Sequence, residues 1–356
     1  MSNPISNNSA RILGTSALFS LMLACSPASE TTTVSVATAS SSTGGAVEQE
    51  VEQSALQAGP RQSTIRNMDW RLHNLDLAGS RFSPSDQITP DNVAELTPTW
   101  LFQHGVIDGV SNQTTPVVVG DTMYVTDSRG SVYALNARDG HLLWTYDVTR
   151  LLGGGRREGY VFRHRGVAVE DGVVYTAAGS FIFALDAETG EPLEGFGVEG
   201  QAPVILDVLH EKDPEIETAI SVGYWFTTAP QVYDGVIYIG TTRSESHIAG
   251  GYVLAIDAKT GEGIWNFNTI PQDENDQGWE IAGPTWVGGE RNGGGIWETP
   301  AIDPELGMVY VAVGNPFGDS TKRDGMNLFS DSLIGLSLED GNLEWSSFLV
   351  NSNSVF

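Results

Sequence analysis

Ala134-Leu-Asn-Ala-Arg-Asp-Gly-His-Leu-Leu-Trp144 decides the fold, because the same eleven-residue pattern returns three times without a gap. The copies are Ala184-LDAETGEPL-Glu194, Ala255-IDAKTGEGI-Trp265 and Gly335-LSLEDGNLE-Trp345. Each opens as an apolar strand, breaks at an acidic corner closed by Gly140, Gly190, Gly261 or Gly341, and re-enters a strand. Glycine closes such a corner because it takes a positive φ at no steric cost. Upstream of each copy lies a pair of β-rich runs around a tight turn: TTPVVVGDTMYVTD, RGVAVEDGVVYTAA, APQVYDGVIYIGTT and TPAIDPELGMVYVAV. Four short strands per unit, repeated, are the pattern of β-propeller blades. The units start 50, 71 and 80 residues apart, so the insertions lengthen along the chain. The fold class expected is all-β, a β-propeller with about four blades. The one helical turn expected is Pro90 to Leu96, and Trp144, Trp265 and Trp345 read as core residues at one repeat position.

Composition narrows the function. With 45 acidic against 18 basic residues in 356, the net charge of −27 argues against a nucleic-acid partner, because phosphate binding needs a positive surface. No apolar run reaches the ~18 residues of a membrane-spanning helix. The single cysteine excludes a disulfide framework and a cysteine-cluster zinc site. It follows a short apolar stretch, Ile12 to Ala24, in the run Leu21-Met22-Leu23-Ala24-Cys25, which is similar to a bacterial lipoprotein signal. The expected organisation is a signal over 1–25, a flexible Ser/Thr-rich tether over 26–60 and the propeller over 61–356. The expected location is the periplasm, with lipidated Cys25 anchoring the chain to the outer membrane. The lipid is the one membrane contact foreseen.

Residues between the repeats carry the functional reading. Trp70 to Trp100, WRLHNLDLAGSRFSPSDQITPDNVAELTPTW, together with the A-L-[DN]-A-x-[TD]-G repeats and the late GGGIWETPAIDPELGMVYVAVGNP segment, resembles the pyrroloquinoline-quinone (PQQ) dependent dehydrogenases. The resemblance implies an eight-bladed propeller, of which this chain supplies about half, and oxidation of an alcohol or aldose with PQQ and calcium. Electrons would pass to a quinone or a cytochrome c. By position, it implies that Glu245 and Asn315 hold the calcium, a hard cation that takes oxygen ligands. Trp297 would stack on the planar quinone. Arg165 would pair with a PQQ carboxylate, and Thr227 and Thr242 would bond the cofactor rim. Gln113 stands where relatives carry Glu, keeping the hydrogen-bonding reach and losing the charge.

Independently of any family, Arg150, Arg156, Arg157, Arg163 and Arg165 lie within sixteen residues of an otherwise acidic chain. That local reversal of charge suits an anionic cofactor. Arg150 and Arg156 are expected to answer nearby acids instead. The insertion FGVEGQ at 196–201 resembles the glucose-dehydrogenase branch, and Gly159-Tyr160 replaces the adjacent-cysteine pair of the methanol and ethanol enzymes. The family's catalytic Asp follows the fourth repeat by about a dozen residues, which falls at or beyond Phe356. The 356 residues alone are therefore expected to lack turnover.

Other candidates carry less. Gly153-Gly154-Gly155-Arg156 lacks the Lys and Ser of a phosphate loop. Asp273 to Asp276 reads as a solvated acidic loop, and His164, the one histidine inside a matched motif, reads as lying behind the site. Two rival functions use the same repeat: a lipid-anchored scaffold propeller of the outer-membrane assembly type, and a pseudoenzyme. A scaffold needs neither a calcium pair nor a stacking Trp at family spacing.

Overall fold

The computed structural model describes residues 69–106, 112–148, 163–241 and 248–349. All lie in the second of two compact units, 62–356. The proposed signal and tether, with Cys25, lie outside the described residues, as do Arg150, Gly153 to Arg157, Gly159-Tyr160 and Phe356.

Four antiparallel four-stranded sheets follow one another. The first holds β1 (Val117–Val119), β2 (Thr122–Thr126), β3 (Val132–Asn136) and β4 (Leu142–Tyr146). The second holds β5 (Ala168–Glu170), β6 (Val173–Ala178), β7 (Phe181–Asp186) and the short β8 (Gln201–Ala202). The third holds β9 (Gln231–Tyr233), β10 (Val236–Gly240), β11 (Tyr252–Asp257) and β12 (Gly263–Asn268). A two-residue pair, β13 (Asn292–Gly293) with β16 (Pro316–Phe317), accompanies the fourth sheet. That sheet is β14 (Ala301–Asp303), β15 (Met308–Ala312), β17 (Ser332–Ser337) and β18 (Leu343–Phe348). The register repeats as well: Val117, Ala168, Gln231 and Ala301, the first residues of the four innermost strands, face Tyr124, Tyr175, Tyr238 and Tyr310. Middle strands such as β6 and β11 are buried almost throughout, because the second and third blades have a neighbouring blade on each face.

The glycine corners are as the repeat predicts, with φ of 72° at Gly140, 74° at Gly190, 79° at Gly261 and 71° at Gly341. The acid or amide of each corner has a local reason: Asp257 Oδ1 accepts the backbone N–H of Lys259 and of Thr260, and Asn136 Oδ1 that of Arg138. A second reason for glycine appears only in the assembled fold. The Trp144 indole of the first blade lies over Gly190 of the second, where a Cβ would stand 2.5 Å from the ring. Its Nε1 donates to Ala187 O at 3.1 Å. Trp265 treats Gly341 and Leu338 O in the same way, and Trp100 treats Gly140 and Ala137 O. These tryptophans are seam residues between blades.

Trp345 departs from the core assignment. Although it pairs with Gly335 as Trp265 pairs with Ala255, it is 39% exposed. No further blade lies against it among the described residues. In the second blade the repeat carries Glu194 in place of Trp, and the FGVEGQ insertion supplies the substitute. Phe196 is fully buried, with its ring 3.2 Å from where a Cβ on Gly261 would be.

Helix is scarce but not confined to the expected turn. Val93–Glu95 forms a 3-10 turn there, while a nine-residue α-helix, α1 (Val204–Lys212), was not anticipated. Its buried Val204, Ile205, Val208 and Leu209 recur at helical spacing and join the largest core cluster. A short α2 (Trp279–Ala282) follows the acidic loop. That loop is not simply solvated. Asp276 pairs with Lys212 at the end of α1 at 2.5 Å and accepts Gln272 N at 2.7 Å.

The segment ahead of the first blade runs along the innermost strands of all four. Trp70 exchanges backbone hydrogen bonds with Val118, Arg71 O accepts Val169 N, and Leu77 O accepts both Ile302 N and Gln231 Nε2. No helix among the described residues is long and apolar enough to cross a membrane.

Candidate functional site

The lead-ins to the four innermost strands form one end of the assembly. Because β2 runs antiparallel to β1, the β2–β3, β10–β11 and β15–β17 connections emerge at that same end. Counting back four residues from Val117, Ala168, Gln231 and Ala301 gives Gln113, His164, Thr227 and Trp297. Three of these are candidates chosen from sequence. Asn315 opens the β15–β17 connection, and Arg165 is next to His164. Thr242 and Glu245 belong to the β10–β11 connection and lie outside the described residues.

Two candidates touch directly. Arg165 Nη1 donates to the backbone carbonyl of Thr227 at 3.0 Å, across the seam between second and third blades. Thr227 is fully buried, and its Oγ1 has no hydrogen-bond partner. Gln113 is exposed at the lead-in of the first blade.

Trp297 and Asn315 are brought together by backbone. The glycine run before Trp297 bonds to the chain around Asn315, through Gly294 N to Asn315 O and Gly314 N to Gly295 O, both at 3.0 Å. The same run holds the two flanks of the Glu245 connection: Gly293 N donates to Ile248 O and Ile296 N to Thr241 O. Three backbones meet here, and a Cβ on Gly293 would stand 2.6 Å from Asn315 O. That close approach is the reason for the glycines. The Asn315 Nδ2 donates to Pro316 O at 2.9 Å, which leaves its amide oxygen, the harder donor, for another partner. Among the described residues no three His, Cys, Asp or Glu side chains gather to hold a metal ion.

The electrostatics are cationic around Arg165. His73, from the segment ahead of the first blade, is buried, and its pKa is lowered to about 4 by desolvation and then by the Arg81 guanidinium, against an opposing contribution from the Arg165 backbone. His164 is likewise lowered to about 4 by burial and then by Arg165. Both imidazoles are therefore neutral at pH 7. Neither ring nitrogen of His164 has a partner, nor has His73 Nδ1. His164 holds the lead-in position of the second blade and is buried there. Counting back from each strand start would have found it.

The family model described as "Glucose/ethanol/alcohol dehydrogenase, beta-propeller domain", of the PQQ type, matches residues 70–353. The chain belongs to that family. As a PQQ-dehydrogenase propeller it is 35% identical over 290 residues to quinohemoprotein alcohol dehydrogenase ADH-IIG of Pseudomonas putida, covering 78% of this chain and 38% of the relative. It is 31% identical over 301 residues to the quinohemoprotein alcohol dehydrogenase of Comamonas testosteroni, covering 80% and 39%. The crystal structure of the Pseudomonas putida enzyme matches with a TM-score of 0.65 at 31% identity, covering 80% of this chain and 40% of that one. The chain spans about 40% of the length of these relatives. They are alcohol dehydrogenases by name, so they lend no support to the glucose branch suggested by FGVEGQ, whose Phe196 serves a blade seam.

The donor set fits PQQ, a flat tricarboxylate. Buried Thr227 Oγ1 has an unmet hydrogen bond, Arg165 is fixed beside it, and the surrounding imidazoles carry no competing charge.

Proposed function

We propose that this propeller holds PQQ and a calcium ion at the lead-in end, as part of a quinoprotein dehydrogenase that oxidises a small alcohol or an aldose. The observation that carries the reading is the Arg165–Thr227 tie, with a buried hydroxyl left unsatisfied beside it. A buried hydroxyl left unsatisfied costs about 1–3 kcal/mol, which a ligand acceptor would recover.

Arg165 holds one cofactor carboxylate, and Thr227 Oγ1 donates to the rim, with Thr242 and Gln113 as further polar contacts. Trp297 gives the ring a flat apolar support. Glu245 and Asn315 hold the calcium through carboxylate and amide oxygens. Bound PQQ supplies an electron-accepting carbonyl that takes up the substrate's hydride equivalent. Electrons leave to a quinone or a cytochrome c. The proton acceptor would be the aspartate that the family resemblance implies, and a pseudoenzyme would keep the cradle without it.

The test is a PQQ titration followed by quenching of tryptophan fluorescence, with calcium and after chelation. Arg165→Lys keeps the charge but loses the fork and is expected to weaken binding about tenfold. Thr227→Val removes one hydrogen bond, worth about 1 kcal/mol, and should weaken it about fivefold. Absence of calcium-dependent binding by the wild-type chain would sink the reading in favour of the scaffold.

Export belongs to the same reading: lipidated Cys25 would tether the propeller to the outer membrane on the periplasmic side. Cys25→Ser is expected to move the chain from the membrane to the soluble periplasmic fraction. An unchanged distribution would exclude the anchor.

A further inference from the structure

Three buried polar side chains without a role in the proposed cofactor site face the seam between the first and second blades. Thr126 ends β2 and shares a face of that strand with Tyr124, whose hydroxyl donates to Ala187 O of the second blade at 3.0 Å. Thr176 lies on β6 between Val174 and Ala178, which both face the first blade. Val174 belongs to one core cluster with Tyr124, and Ala178 Cβ is 2.8 Å from where a Cβ on Gly130 would stand. His164 enters the seam from the lead-in, with its Cδ2 2.9 Å and its Nε2 3.0 Å from that same point. The three residues are 1%, 0% and 2% exposed. Both threonine hydroxyls and both ring nitrogens of His164 are without a hydrogen-bond partner among the described residues.

Farther from the lead-in end, Tyr124, Val174 and Leu185 fill the same seam. Near that end the facing residues are small: Thr126, Gly130, Thr176 and Ala178. Packed sheets stand ~10 Å apart, so small side chains on both leave space between them. Farther out, Phe183, paired with Thr176 across β6 and β7, meets the Tyr146 ring of the first blade at 6.0 Å. The backbone of Thr126 is already satisfied, its N–H donating to Thr114 Oγ1 and its carbonyl accepting Asn112 Nδ2.

Two hydroxyls and a neutral imidazole offer donors and acceptors but no full charge. The nearest acid in sequence, Asp127, accepts from Arg129 N, Ser131 N and the Tyr133 hydroxyl. A metal ion would therefore meet no carboxylate committed to it, and an apolar molecule would leave every one of these atoms unmet. Water has two donors and two acceptors, and a buried water typically bridges about three such groups.

We propose that the seam between the first and second blades encloses a hydration site, in which Thr126, Thr176 and His164 hold ordered water between the two sheets. One enclosed water is a partner for the neutral ring and not the bulk solvent that a charged ring needs. The site stands independently of the cofactor reading.

The experiment compares the full chain with Thr126→Val, Thr176→Val and the double variant. Valine keeps the shape and removes the hydroxyl, so the sign of the stability change separates a hydrated hydroxyl from an orphaned one. If each hydroxyl holds water, each single variant lowers the melting temperature by about 2–4 °C. Water-oxygen magnetic relaxation dispersion then counts fewer long-lived internal waters in the double variant than in the wild-type chain. A melting temperature unchanged or raised in both single variants means that the hydroxyls lose nothing, and overturns the proposal. An unchanged count of internal waters in the double variant overturns it as well, whatever the melting temperatures.

Discussion

Acidification from pH 7 to pH 4 is expected to remove several kcal/mol of the propeller's stability, chiefly through two imidazoles. His73 and His164 have pKa values lowered to about 4 in the folded chain, against 6.5 when unfolded. A lowered histidine pKa means that the unfolded state binds more protons at every pH between those values. Stability is therefore fully present above pH 6.5, falls as the pH drops through the window, and levels off below about 4. Each imidazole contributes about 3 kcal/mol over that span, and with both titrating the slope near pH 5 is about 2.4 kcal/mol per pH unit. Urea unfolding at a series of pH values measures the slope. Carboxylates held low by their neighbours, such as Asp186 beside Thr189, add a further loss at the acid end. A His73→Gln, His164→Asn double variant separates the contributions, since its curve should be nearly flat from pH 7 to 5. A wild-type curve equally flat there would show that the imidazoles are hydrated in the folded chain.

The second large effect is at the blade seams. Gly190→Ala is expected to destabilise the chain by about 3–5 kcal/mol. A left-handed φ costs a non-glycine residue about 1–2 kcal/mol. The added Cβ would also stand 2.5 Å from the Trp144 ring and displace an indole whose Nε1 bonds to Ala187 O. Loss of that bond and of the seam contact supplies the rest. Gly172→Ala is the control. Its φ is 77°, but a Cβ there meets nothing within 4 Å, so only the conformational part applies. Equal losses in the two variants, read from denaturant midpoints, would mean that Trp144 does not clamp the blades together.

The repeat by itself determined the blades. Four acidic corners with a glycine, each between runs of alternating residues, specify hairpins through chemistry within six residues, and Asn136 and Asp257 show that chemistry intact. Arg165, Thr227, Trp297 and Asn315 are marked for the site by the family resemblance and not by the repeat. The apolar spacing of α1 was equally open to inspection, at Val204, Ile205, Val208 and Leu209.

Tertiary structure decided the rest, because the deciding contacts join residues far apart in the chain. Whether a repeat tryptophan is buried depends on a blade lying against it, so Trp265 and Trp345 share a pattern and differ in environment. Phe196 could replace the missing Trp of the second blade because a seam demands a ring and is indifferent to which strand supplies it. The Arg165 bond to Thr227 spans 62 residues, and the Arg81 and Arg165 influence on His73 crosses from the leading segment to the second blade. Desolvation and charge act through space, and no spacing along the chain encodes which segment is folded in beside an arginine.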